Sequence, residues 1–128
     1  MDATRALRIS AITAAAGVAI GAFGAHGLKA RLAEVGYAAS FQTGVEYHRV
    51  HALALGLCAL PALDDRVRGR AAAAFVAGVA LFSGSLYALA LTGVRTFGAV
   101  TPIGGVAFLV GWTLIALGAR RGGSASAA

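Results

Sequence analysis

Long apolar stretches divided by short polar connections set the pattern of this chain. One runs over residues 9–25, behind Arg5 and Arg8 and ahead of His26; others run over residues 71–91 and 100–117, separated by a connection that carries Arg95. Each approaches the roughly 20 residues that, at about 1.5 Å per residue, cover a hydrocarbon core about 30 Å thick. The pattern predicts transmembrane α-helices. A basic start followed by an apolar run also describes a secretory signal peptide. The first stretch is long for the central region of such a peptide, however, and more hydrophobic sequence follows it, so this helix is expected to be retained.

A further span is less plain. The clean apolar run over residues 50–63 is too short to cross a bilayer, and extending it to full length reaches residue 44. A span over 44–63 therefore carries Glu46, Tyr47, His48, Arg49 and His51 on the helix, with Pro61 in its final turn and a charged connection at 64–70. Residues 28–39 are too polar to span. Leu28, Leu32 and Val35 fall at i, i+4 and i+7, which suits a short helix in the headgroup region, and a plain loop fits nearly as well. The expectation is an all-α integral membrane four-helix bundle forming one domain over residues 1–118, followed by a tail at 119–128 that is basic and then flexible.

Composition points the same way. Apolar residues make up 59% of the 128 and charged residues only 12%, against about 25% in an average soluble domain. A soluble fold of this size cannot hide so much apolar surface. The single cysteine, Cys58, sits in an apolar run and allows no disulfide framework. The net charge of +6 does not indicate nucleic acid, because the eleven Lys and Arg residues are scattered through connections and ends instead of forming a stripe. Topology accounts for them better. With four spans, Arg5, Arg8, Arg66, Arg68, Arg70, Arg120 and Arg121 share one side, while Lys29, Arg31 and Arg95 lie on the other. The positive-inside rule then places both termini in the cytoplasm.

Helices in lipid associate through close packing, which small residues permit. Gly17, Gly21 and Gly24 form a stripe on the first span, Ala80, Gly84 and Ala88 on the third, and Gly104, Gly111 and Gly118 on the fourth. Abundance alone also produces glycines in such a chain, which has 18. Whether these faces meet inside one bundle or between copies stays open at this level.

Ionisable groups near a bilayer centre cost about 2.5 to 3.5 kcal/mol each on insertion scales. Those on the second span therefore need partners. Gln42, Glu46 and Arg49 fall on one helix face, where Glu46 and Arg49 form an i, i+3 pair, and Gly44, Tyr47, His48 and His51 fall on roughly the opposite one. His48 and His51 invite a metal reading, but they and Glu46 point to different faces, so no metal site is expected. A proton relay through Glu46 and His51 competes with a structural hydrogen-bond network that fixes helix register. Ser83 and Ser85 flank Gly84 without a nucleophile elbow, and no phosphate-loop pattern is present, so no catalytic residue and no cofactor are assigned. In the four-span topology the distinctive side chains gather at the non-cytoplasmic ends. The candidate polar site comprises His26, Glu46, Tyr47, His51, Ser83, Ser85, Tyr87 and Thr101.

These residues lie in the segments GAFGAHGL (21–28), TGVEYHRVHALAL (43–55), LFSGSLYALAL (81–91) and TPIGGVAFLVGW (101–112), through which the chain resembles the YgdD-like, or transmembrane protein 256-like, family. The resemblance touches all the spans. It implies a small four-span protein, here of a bacterial inner membrane, and brings no molecular activity with it. The expected role is a structural or partner-binding bundle in the lipid bilayer, with a second copy or another membrane protein as partner. The alternative is a small oligomeric transporter or proton-coupled channel that uses the polar cluster.

Overall fold

The computed structural model describes residues 1–120, and their regular structure is entirely helical. Five helices follow in order among the described residues: α1 (Ala3–Ala25), α2 (Lys29–Val35), α3 (Ala38–Leu57), α4 (Asp65–Thr92) and α5 (Thr96–Gly118). Three of them, α1, α4 and α5, are long and apolar enough to cross a membrane. The 20 residues of α3 match them in reach, but its polar side chains break the apolar run.

The helices start earlier than the apolar stretches that announce them, and at α1 and α4 a polar cap extends the start. Asp2 accepts the Arg5 N–H and starts α1 at Ala3, not near residue 9. Asp64 accepts the N–H groups of Val67 and Arg66 and starts α4 at Asp65, not near 71; those bonds hold its carboxyl below the usual carboxylate range. The helix expected over 44–63 is shifted toward the N-terminus. Pro61 has no N–H to continue the helix, and its ring would crowd the preceding turn. The chain accordingly leaves α3 at Leu57, and Cys58, Ala59 and Leu60 reach back only three residues with their N–H groups. Between α1 and α3 the chain forms the short helix instead of a loop; Leu32 is buried, and Gly36 ends α2 in the left-handed region at φ 82°. Of the expected tail, residues 121–128 lie outside the described residues.

Close contacts establish the register. Along α1 and α3, Gly17 lies against His48, Gly21 against Val45 and Gly24 against Phe41, so the two helices run antiparallel. Along α4 and α5, Val67 meets Gly118, Phe75 meets Gly111, Phe108 meets Gly78 and Phe82 meets Gly104, again antiparallel. The core between them is built on Leu55, Cys58, Phe75 and Phe108, with a second cluster around Leu32, Phe41, Val45 and Ala90. The stripes containing Gly17, Gly21, Gly24, Gly104 and Gly111 thus meet partner helices within a single chain.

Met1 and Arg120, the first and last described residues, meet at the α3–α4 turn. The Met1 ammonium donates to the Asp65 carbonyl at 3.2 Å, and Arg120 reaches the Ala62 carbonyl and the Asp64 carboxylate. Arg68, which the charge pattern reads simply as a topological cation, is buried. It donates to the carbonyls of Cys58, Leu60, Leu63 and Met1 and to the Asp65 carboxylate. One guanidinium therefore satisfies carbonyls of the turn that joins α3 to α4.

Within α4, residues Val79–Ser83 form a π turn. Such a turn widens the helix locally and often marks a constrained site. Here it brings the backbone against α5: a Cβ added at Gly104 would lie 2.2 Å from the Phe82 backbone nitrogen. Gly84 departs from the packing expectation, since a Cβ there comes no closer than 4.0 Å to the Val79 carbonyl oxygen. The Ala80, Gly84 and Ala88 stripe instead borders a small cavity with Phe97 and Val100 of α5. Gly104→Ala is therefore expected to lower stability by about 1 to 3 kcal/mol, whereas Gly84→Ala is expected to be neutral or stabilising, as alanine is the better helix former. Denaturant unfolding in detergent micelles measures both.

Candidate functional site

The polar side chains predicted to form one cluster are divided by the fold among three interhelical ties, with Ser83, His26 and Glu46 outside them. The first tie centres on His48. Gly17 on α1 leaves room for its ring, where a Cβ would stand 3.2 Å from Cδ2, and Gly44 on α3 leaves room for the Tyr87 ring, where a Cβ would stand 2.9 Å from Cε1. His48 Nε2–H donates to the Thr13 carbonyl at 2.9 Å, and the Tyr87 hydroxyl donates to Nδ1 at 3.0 Å. A backbone carbonyl can only accept, so Nε2 carries a proton, and in a neutral ring Nδ1 is then the acceptor. The imidazole joins α1, α3 and α4.

His51 takes the opposite tautomer. Its Nδ1–H donates to the Tyr47 carbonyl one turn earlier at 2.8 Å, leaving Nε2 to accept from Trp112 Nε1–H at 3.2 Å. Its ring stacks on Phe108 at a centroid separation of 3.4 Å. The third tie links α4 to α5: the Ser85 hydroxyl donates to the Phe82 carbonyl at 2.9 Å and so accepts from Thr101 at 2.8 Å. Ser83 lies fully buried in the π turn, and its hydroxyl finds no hydrogen-bond partner among the described residues.

His26 and Glu46 stand apart. His26 is exposed at the end of α1, where its backbone N–H caps the helix, and it does not approach the other two histidines. Glu46 is exposed on the outward face of α3 and bonds neither His51 nor Arg49 among the described residues. The expected Glu46–Arg49 pair does not form: Arg49 leans on α1 near Gly17, while Glu46 turns toward α5. Among the described residues no group of three or more His, Cys, Asp or Glu side chains converges as a metal site would require.

Beside Glu46 a groove of about 660 Å³ runs between α3 and α5. Tyr47, His51, Phe82, Phe108 and Trp112 line it, with Pro102, Gly105, Val106 and Leu109 along the α5 side. Stacked rings form its wall, Tyr47 and Phe82 with centroids 4.4 Å apart. The volume falls within the range of small-molecule sites, about 300 to 1,000 Å³. Reading the sequence overlooked three participants. His48 shares a helix face with Gly44 and His51, a signal that was available; Trp112 and the Thr13 carbonyl are brought in by tertiary contact alone.

The outer surface carries large apolar side chains, including Ile12 (71% exposed), Leu53 (70%), Leu109 (68%) and Leu117 (83%). Helices with apolar outer faces and inward polar ties define a helical membrane protein. The chain belongs to the family described as "Protein of unknown function (DUF423)", whose model matches residues 20–105. Its relatives carry matching names. The UPF0382 membrane protein YwdK of Bacillus subtilis is 43% identical over 118 residues, covering 88% of this chain and 94% of the relative. The UPF0382 inner membrane protein YgdD of Escherichia coli K12 is 46% identical over 108 residues, covering 81% and 80%. A UPF0382 membrane protein of Haemophilus influenzae is 42% identical over 105 residues, covering 81% and 84%. No solved structure matches the chain.

The geometry of the first tie predicts measurable coupling. Tyr87→Phe removes the donor to His48 Nδ1, and His48→Ala removes both bonds of the ring. In a double-mutant cycle on unfolding in detergent, the pair is expected to couple by about 0.6 kcal/mol, with about 1.7 as an upper bound for such bonds in membrane proteins. Additive effects would mean that the bond contributes nothing.

Proposed function

We propose that the chain crosses the bacterial inner membrane four times, with both ends in the cytoplasm, and acts as a binding bundle whose α3–α5 groove holds an apolar molecule borne by the membrane. The observation that carries this reading is the groove itself, open at the flank of the bundle between two helices and walled by aromatic rings. The topology is supported by the length of α3, 20 residues or about 30 Å, and by the meeting of Met1 and Arg120 at the α3–α4 turn. Arg5, Arg8, Arg66, Arg68, Arg70 and Arg120 belong to that end of the bundle, and Lys29, Arg31 and Arg95 to the other. A proton path through the bundle has less behind it. The ring nitrogens of His48 and His51 are already engaged by protein groups, and Glu46 bonds neither ring.

Fusions test the topology. Green fluorescent protein attached after Arg120 is expected to fluoresce, and alkaline phosphatase to be active when inserted at Gly93 and inactive at the C-terminal end. The reverse pattern would place the termini outside.

Native mass spectrometry tests the groove. Protein extracted from its own membranes in mild detergent is expected to retain a bound molecule that Gly105→Trp, filling the groove, displaces. An unliganded mass, or a bound molecule indifferent to that substitution, would count against the reading.

A further inference from the structure

The groove contains one charged lining side chain, Glu46. It is exposed, and it makes no ion pair or hydrogen bond among the described residues. The neighbouring cation, Arg49, packs along α1 and does not line the groove. Glu46 also stands eight residues beyond Ala38, the first residue of α3, or about 12 Å along a helix about 30 Å long. If α3 crosses the bilayer, that carboxylate lies at hydrocarbon depth, where an unneutralised charge is expensive. The aromatic side chains of Tyr47, Phe82, Phe108 and Trp112 line the groove with it, and aromatic rings attract organic cations.

A carboxylate with no partner among the described residues and a wall of aromatic side chains select the same ligand chemistry. We propose that the groove binds a lipophilic organic cation, with Glu46 as its counter-charge and the aromatic rings covering its apolar body. The ammonium of a phospholipid headgroup fits less well, because it is anchored at the interface and Glu46 lies well inside it. An anion of the same shape would meet the carboxylate with like charge. This assignment rests on the groove reading above and adds the sign and size of what enters.

Trp112 is the only tryptophan of the chain and lines the groove, so its emission reports occupancy directly. Purified full-length protein in mild detergent, titrated with tetraphenylphosphonium, is expected to show a saturable change in Trp112 emission. Glu46→Gln is expected to weaken that binding at least tenfold and Glu46→Asp to retain part of it. Glu46 is exposed, so neither change should disturb the fold, and circular dichroism checks this. Tetraphenylborate, matched in shape and opposite in charge, is expected to give no saturable change.

Equal responses to the two ions, or indifference to Glu46→Gln, would overturn the cation assignment while leaving a groove that binds apolar molecules. An equal response to phosphatidylethanolamine would overturn the choice of a small cation. No response to any probe would overturn the assignment as well, and the displacement of a native molecule by Gly105→Trp separately decides whether the groove binds at all.

Discussion

Two imidazoles carried by α3 into an apolar bundle impose the requirement around which the other helices are arranged. A polar atom buried away from water must find a partner or lose its hydration without compensation. His48 meets this by lying between the Thr13 carbonyl of α1 and the Tyr87 hydroxyl of α4, and His51 by lying between its own helix and Trp112 of α5. Every long helix is thereby tied to α3. The glycines serve the same end: Gly17 and Gly44 are absences of side chain at the points where the His48 and Tyr87 rings must pass.

Helix separation varies around the bundle as a result. α1 lies close on α3, and α5 lies so close on α4 that Gly104 meets the backbone of the π turn. Between α3 and α5 the contacts are made by aromatic rings at longer reach, and there the groove opens. The rings that tie α3 to α5 thus also form the wall of the cavity. Glu46 stands at this seam without the partners that the histidines have.

The end of the bundle where Met1 and Arg120 meet solves a different problem. α3 stops abruptly before Pro61, and the turn that joins it to α4 carries backbone carbonyls that no helix pairs. Arg68 returns from the first turn of α4 to satisfy them and binds the Met1 carbonyl as well. A charge that serves as a topological signal in the sequence serves as an internal clamp in the fold. The two roles are compatible, since the guanidinium keeps its charge wherever it is bonded.

Much of this architecture was legible in the residues themselves. Apolar stretches near bilayer length identify α1, α4 and α5, because burying apolar surface is a local demand that hydropathy records. The polar insertion on α3 and the small-residue stripes on α1 and α5 were equally visible, as was the resemblance to a family of membrane proteins. Helix limits were less so, because Asp2, Asp64 and Pro61 act through backbone bonds to which hydropathy is blind. The partners of the polar side chains were beyond the sequence altogether. A periodic pattern states which face a residue occupies on its own helix, and it holds no information on which helix lies opposite. Only the packed bundle decided that His48 meets Tyr87 and not His51, that Glu46 turns away from Arg49 toward an open groove, and that a π turn leaves Gly84 free while making Gly104 indispensable.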